Sequence, residues 1–368
     1  MRGYAVWAFV GFLLSAVIAT VPTHPRAEVR PQTDTTSCKD KKLCIGVRSY
    51  ARPFSYKPTA KREIVTDGTF GPLAKLGYTG YIVRICDAVL KEMTLDVGDD
   101  SEHLQYTDIG VFDVDSYNIP ESASATEPPT ADGPRFNGMG QEFDILCDPA
   151  TISNERRSGL TVSSPLFLTG ISYITPPRQS APRNACAQDR SLIGVVRGTN
   201  AVTHGLKTLV KAHELPEFEK ELTDYLKGRK PCEDENNEPH KDESDEPLVK
   251  VFINHEDAAK AFCNNKFFYY VGDLEVIIEN ARAISGCDYE NGSQTYTTDR
   301  YAIFGKPISD DDIERRLRVA RFFEILGRKT VFTPSILDDA FNSTFYGMQP
   351  SEKLDVFYQS IRGIPDQR

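Results

Sequence analysis

The sequence predicts an α/β protein with parallel sheets. Two observations carry this. Short apolar strands alternate with helical patterns along most of the chain, and LCIGVR (43–48) and LIGVVR (192–197) read as strands buried inside a sheet. The first strand, 43–48, gives way to RPFSY, where Pro53 stops it. Tyr81, Ile82, Ile85, Cys86, Val89, Leu90 and Met93 recur at helical spacing, so an amphipathic helix opens at Gly80. Residues 116–134, rich in Ser, Ala, Pro and Thr, cannot fill a core and read as a loop insertion. FDILC (143–147) is the next strand, followed by the polar turn TISNERR, and GISYIT (170–175) is a strand ended by Pro176 and Pro177. LIGVVR leads through GTN (198–200) into a helix carrying Leu206, Leu209 and Val210. After VKVFI (249–253), Asn254 is placed to cap a helix from His255 to Cys263. FFYYVGD ends at Asp273, and TDRYAIFGK (298–306) is the last strand. Ser309 and Asp312 give a capping-box-like start to a helix expected to turn Ile313, Leu317, Ala320 and Phe323 inward.

The chain has 368 residues, enough for one large domain or two moderate ones. Its formal charge of −10 is concentrated: Glu233 to Glu246 holds eight acids and one lysine, and the rest is nearly balanced. No basic stripe is present, so a nucleic-acid partner is not expected. The acidic segment, within an insertion at 232–247, reads as a solvated loop; it lacks the spaced ligands and turn glycine of a calcium-binding loop, and no metal is expected. Arg2 and the uncharged apolar run Ala5–Val21 read as a secretory leader covering residues 1–27, with an uncleaved anchor as the alternative. The expected location is periplasmic or otherwise extracytoplasmic. Eight cysteines agree with that address, being even in number and free of paired CxxC spacing, and point to disulfides.

Ligands of α/β folds lie beyond the carboxyl ends of the strands, and three such ends carry suitable chemistry. After FDILC, Thr151 and Arg156 share one polar turn, and a hydroxyl with a guanidinium fork suits a carboxylate. An arginine paired with a surface acid is the competing account of Arg156. Gly198 and Thr199 stand at a helix start, where backbone N–H groups attract anions. Asp273 ends a strand and can hold an ammonium group, or cap a helix. Together these describe receptors for an amino-acid zwitterion.

Seven stretches in order, LCIGVRSYARPFSY, GYTGYIVRICDAVLKEM, EFDILCDPATISNERR, LTVSSPLFLTGISYIT, LIGVVRGTNA, YYVGDLEVII and DRYAIFGKPI, give the chain a resemblance to family-3 solute-binding proteins of amino-acid ABC transporters, covering about Cys44 to Leu326. The resemblance implies a type II periplasmic-binding-protein-like fold. Its lobe 1 comprises 36–174 and 302–366, its lobe 2 comprises 177–298, and two crossing strands form the hinge. It places the first crossing near Ser172 to Pro176 and the return near Thr298 to Ile303, with the ligand in a cleft that shuts by hinge closure. Thr151 and Arg156 match the carboxylate-binding residues of the TITxER motif, Thr199 the second-lobe GT, and Asp273 the acid that takes the amine. Tyr50, Phe54 and Tyr56 lie where the family lines its first-lobe wall, with Phe54 reading as core. The implied partners are a small amino-acid-like ligand and a membrane permease. A monomer is expected, with no cofactor and no catalytic residue.

The sequence departs from that pattern at several points. Arg48 stands where some members carry an acid, Arg84 replaces an acid of the first helix, Val196 a lysine, and Pro149 a glycine whose N–H is thereby lost. Arg48 either favours an anionic ligand side chain or points to solvent. Cys86 and Cys147 are expected to pair and Cys38–Cys44 is a local option. Cys186, Cys232, Cys263 and Cys287 allow three connectivities, with Cys186–Cys232 and Cys263–Cys287 preferred. Two other classes remain: a secreted dehydratase-like enzyme, for which His204 is the nearest acid–base candidate, and a ligand-presenting sensor component.

Overall fold

The computed structural model describes residues 38–58, 71–95, 104–116, 134–177, 190–229, 247–309, 311–331, 335–345 and 348–361. The leader, Cys186, Cys232, and the bulk of the insertions at 116–134 and 232–247 lie outside the described residues. In chain order the first lobe's elements are β1 (Leu43–Val47), β2 (Tyr50–Ala51), β3 (Ser55–Tyr56), α1 (Pro72–Lys75), α2 (Tyr81–Leu95), β4 (Ile109–Asp113), α3 (Pro134–Asn137), β5 (Ile145–Thr151), α4 (Asn154–Arg157), β6 (Thr161–Val162) and β7 (Phe167–Thr169). The chain then builds β8 (Ile171–Thr175), β9 (Ser191–Val196), α5 (Leu206–Lys211), α6 (Glu219–Leu226), β10 (Val249–Phe252), α7 (His255–Cys263), β11 (Phe267–Asp273), α8 (Leu274–Arg282) and β12 (Glu290–Asn291). It returns through β13 (Asp299–Gly305) to α9 (Ile313–Val331), α10 (Ser335–Thr344) and α11 (Glu352–Ile361).

Two sheets result, ordered β4-β1-β5-β13-β6 and β10-β9-β11-β8-β12, with β7 added to β13. The central neighbours are parallel in each sheet, β1 with β4 and β5, and β9 with β10 and β11. Each sheet buries both faces, as the apolar strands require. In the first lobe, Leu43, Ile45 and Val47 meet α2 on one face, while Cys44, Leu146 and Phe304 join a smaller cluster on the other. Seven apolar residues read as the inner stripe of α2, from Tyr81 to Met93, are all buried. The Cys86–Cys147 disulfide fastens this helix to β5. Cys38–Cys44 and Cys263–Cys287 are also formed.

The chain passes between the sheets in two touching segments. Outward, β7 in the first sheet becomes β8 in the second across Gly170; on return, Tyr296 donates its N–H to the Ile171 carbonyl at 2.8 Å, and β13 begins at Asp299. A Cβ on Gly170 would collide with the Thr297 carbonyl oxygen, so only glycine lets the strands run this close. The crossings therefore fall earlier than the sequence suggests: Ser172–Thr175 is already β8, and Asp299–Ile303 is already β13.

Two further expectations need correction. FDILC is the front of a longer strand, since β5 continues to Thr151 and the turn begins only at Ile152. Pairing of β5 with β13 shifts register between Ala302 and Phe304, opposite Pro149, where a residue without an N–H is tolerated at a bulge. In α9, Ile313 and Leu317 are 68% and 63% exposed and Ala320 is exposed, while Arg315, Val319, Phe322, Ile325 and Leu326 face inward. The cause is electrostatic. Asp144 is wholly buried and receives Arg315 Nε at 2.8 Å and Nη2 at 2.9 Å, and this bidentate pair fixes the helix rotation. Asp312 caps the helix, accepting the Arg315 N–H at 2.9 Å.

Candidate functional site

The carboxyl ends of β1 and β5 in one sheet, and of β9 and β11 in the other, carry the residues singled out from sequence. Thr151 is the last residue of β5 and is buried. Ser153 caps α4 by accepting the Arg156 N–H, which bends the chain so that the Arg156 side chain folds back over the turn. Its Nη1 donates to the Thr151 carbonyl at 2.9 Å and its guanidinium lies 4.8 Å from the centre of the Phe136 ring. Arg156 is 4% exposed, whereas Arg157 is exposed. The arginine is thus held beside the strand end by burial, a carbonyl and an aromatic face.

On the second sheet, Gly198 has φ +68, a left-handed conformation that turns the chain sharply after β9. Thr199 uses its hydroxyl to donate to the Val196 carbonyl at 2.7 Å, and a π-helical turn, Ala201–Gly205, follows. His204 is exposed on that turn. Asp273 ends β11 and makes no side-chain cap on α8. Its Oδ2 instead accepts from the Tyr301 hydroxyl. Tyr301 pairs directly with Thr151 in the first sheet, and its ring packs edge-on to Phe54. Burial, then the Asp273 charge, hold the Tyr301 phenol well above its ordinary pKa. One buried phenol therefore links the end of β5 to the end of β11. Nothing in the sequence marks Tyr301 for that role; it is one aromatic of an apolar strand.

Other residues tie the lobes nearby. The Thr169 hydroxyl donates to the Glu275 carboxylate, whose burial raises its pKa, and Asn280 Nδ2 donates to the Arg52 carbonyl at 2.9 Å.

Arg48 does not point to solvent. It is 8% exposed and its Nε donates to Asp115 Oδ1 at 2.9 Å, while Asp115 Oδ2 accepts the N–H groups of Ser49 and Tyr50. Burial opposes its charge, yet Asp115, Asp148 and Asp113 outweigh burial and raise its pKa. Tyr50 is half-buried at the edge of this group, and Phe54 is fully buried core. Asp115 lay beside a loop-like stretch with no signal of its own. Among the described residues no group of His, Cys, Asp and Glu is arranged to hold a metal ion, and no helix is long and apolar enough to cross a membrane.

Two sheets joined by paired crossing segments, with strand ends converging beside the crossings, define the two-lobed fold of type II periplasmic binding proteins. An ancestral arginine-binding protein bound to arginine is similar at 14% identity with a TM-score of 0.50, covering 82% of this chain and 97% of that one. The arginine-, lysine-, histidine-binding protein ArtJ from Geobacillus stearothermophilus is similar at 17% identity with a TM-score of 0.49, covering 86% and 100%. An ancestral amino acid-binding protein described as a precursor of cyclohexadienyl dehydratase is similar at 14% identity with a TM-score of 0.47, covering 82% and 95%. These neighbours are amino-acid-binding proteins. No protein-family model matches the sequence, and no curated protein does.

Proposed function

We propose that the chain is an extracytoplasmic receptor that closes its two lobes around a small amino acid or related carboxylate and delivers it to the permease of an ABC transporter. In this reading residues 1–27 are a removed leader, 36–174 with 302–366 and 177–298 are the lobes, and the protein acts as a monomer without a cofactor or catalytic group. The observation that supports it best is the Tyr301 link, because it sets a cationic and hydroxylic turn, Thr151 with Arg156, and an acid, Asp273, on either side of one phenol. Thr151 and Arg156 take the ligand carboxylate, joined by the backbone N–H groups of Gly198 and Thr199 from the other lobe. Asp273 takes the ammonium. Tyr50 borders the ligand on the first-lobe wall, and Arg48 supports that wall through Asp115.

The test is calorimetry and thermal shift with the twenty L-amino acids and short dicarboxylates. A binder at a hundredfold excess over its dissociation constant should stabilise the fold by about 2.7 kcal/mol. Arg156→Ala should cost about 2–5 kcal/mol of binding, with Arg157→Ala as the neutral control. Asp273→Asn should weaken ligands with a free amine more than the same ligands without one. A panel with no heat and no shift would end this reading.

A further inference from the structure

Asn200 follows Gly198 and Thr199, yet its side chain is bonded elsewhere: Nδ2 donates to Asp299 Oδ1 at 2.9 Å. Asp299 is 8% exposed and opens β13, where the returning segment enters the first sheet. Its other oxygen accepts from the Thr297 hydroxyl. Thr297 Oγ1 in turn accepts the Ile171 N–H at 2.8 Å, the first amide of β8 beyond the outgoing crossing. An unbroken chain of donors and acceptors thus runs from the turn after β9, through the acid of β13, to both crossing segments. Asp299 is too buried to exchange either donor freely for water, and losing one would leave a desolvated carboxylate under-satisfied. Bending that separates Asn200 from Asp299 is therefore disfavoured.

We infer that Asn200 and Asp299 are positioning residues that couple the Gly198–Thr199 turn to the hinge, so that the turn meeting the ligand and the segments that bend on closure move as one unit. The inference rests on the reading of that turn as part of the ligand site. Its test compares the ligand-free full chain with N200A and with the exchanged pair N200D/D299N, in which amide and acid trade places and the hydrogen bond persists with reversed polarity. The readout is hydrogen exchange at the Ile171 N–H. In N200A that exchange should quicken about tenfold, the scale of losing a hydrogen bond to a charged group, and the exchanged pair should restore it. Exchange unchanged in N200A, or a loss that the exchanged pair leaves unrepaired, overturns the coupling. With L-arginine and L-glutamine as probes, N200A should raise the dissociation constant about tenfold and the exchanged pair should recover it. An unchanged constant in N200A also overturns it. A wild-type chain that binds no member of the amino-acid panel ends the receptor reading instead, while the exchange measurement still decides whether the link exists.

Discussion

The two sheets share aromatic interiors but place their charges differently. In the first lobe, charge is buried. Asp144 is wholly enclosed and accepts from four donors: Arg315 Nε and Nη2, the Cys44 N–H at 2.7 Å and the Ile308 N–H at 2.8 Å. Arg48 and Asp115 form a second enclosed pair at the end of β1. In the second lobe, Lys260–Glu256 and Arg282–Glu279 are partly exposed pairs along helices, and the interior is aromatic, with Phe262, Phe267 and Tyr270 in mutual contact. A buried, saturated ion pair adds little net energy but admits only one arrangement of the elements it joins, and here it selects the rotation of α9. The first lobe adds these enclosed ion pairs to an aromatic core of its own, Phe54, Tyr81 and Phe167, and the second adds the buried His255–Tyr270 hydrogen bond.

The sharpest way to break this contrast is to remove one partner of each kind. Asp144→Ala should cost about 3–5 kcal/mol in urea unfolding, because Arg315 is left charged and enclosed. Lys260→Ala, with 51% of its side chain exposed, should cost less than about 1 kcal/mol. Equal losses would remove the distinction. The disulfides refine it: opening Cys86–Cys147, with a separation of 61 residues, should cost about 4 kcal/mol by the chain-entropy relation. Cys263–Cys287, with a separation of 24, should cost about 0.8 kcal/mol less under the same relation. Paired Cys→Ala variants unfolded without reductant would show whether that order holds.

The next effect depends on pH. Asp87 is buried and accepts the Leu73 and Ala74 N–H groups at the start of α1, and burial lifts its pKa from 3.8 to about 6. The folded state therefore holds this proton more tightly than the unfolded chain. Its contribution is full below the unfolded pKa and falls as pH rises through about 6, by about 3 kcal/mol in all. Urea titrations from pH 4 to 7 should show that decline in the native chain and its absence in Asp87→Asn. A decline that survives the substitution would assign the effect elsewhere. The smallest effect concerns α9: Leu317→Lys and Ile313→Lys should each change stability by no more than about 0.5 kcal/mol, since both side chains are exposed. A loss of several kcal/mol from Leu317→Lys would restore the inward face suggested by periodicity.

Local patterns made much of the fold legible. The inner stripe of α2 is all buried, Asn254 caps α7 by accepting the Asp257 N–H at 2.8 Å, and the strands stand where apolar runs predict them. Arg156 is buried beside Thr151, and Arg157 is exposed. The failures share a cause. The α9 stripe, the Arg48 side chain and the extent of β5 each depend on a partner far along the chain: Asp144 for Arg315, Asp115 for Arg48, β13 for β5. Periodicity counts apolar residues and gives an arginine no reason to face inward.

By itself, the sequence determined the α/β class, the order of strands and helices, and the identity of the polar residues at the strand ends, because these follow from short-range periodicity, capping and turn chemistry. Tertiary structure alone decided where the crossings fall, which face α9 buries, that Arg48 is neutralised, and that Tyr301 and Asn200 reach Asp273 and Asp299. Those outcomes pair groups separated by 28 to 171 residues. Their geometry is set by close approach and desolvation, and neither exists until the sheets are assembled.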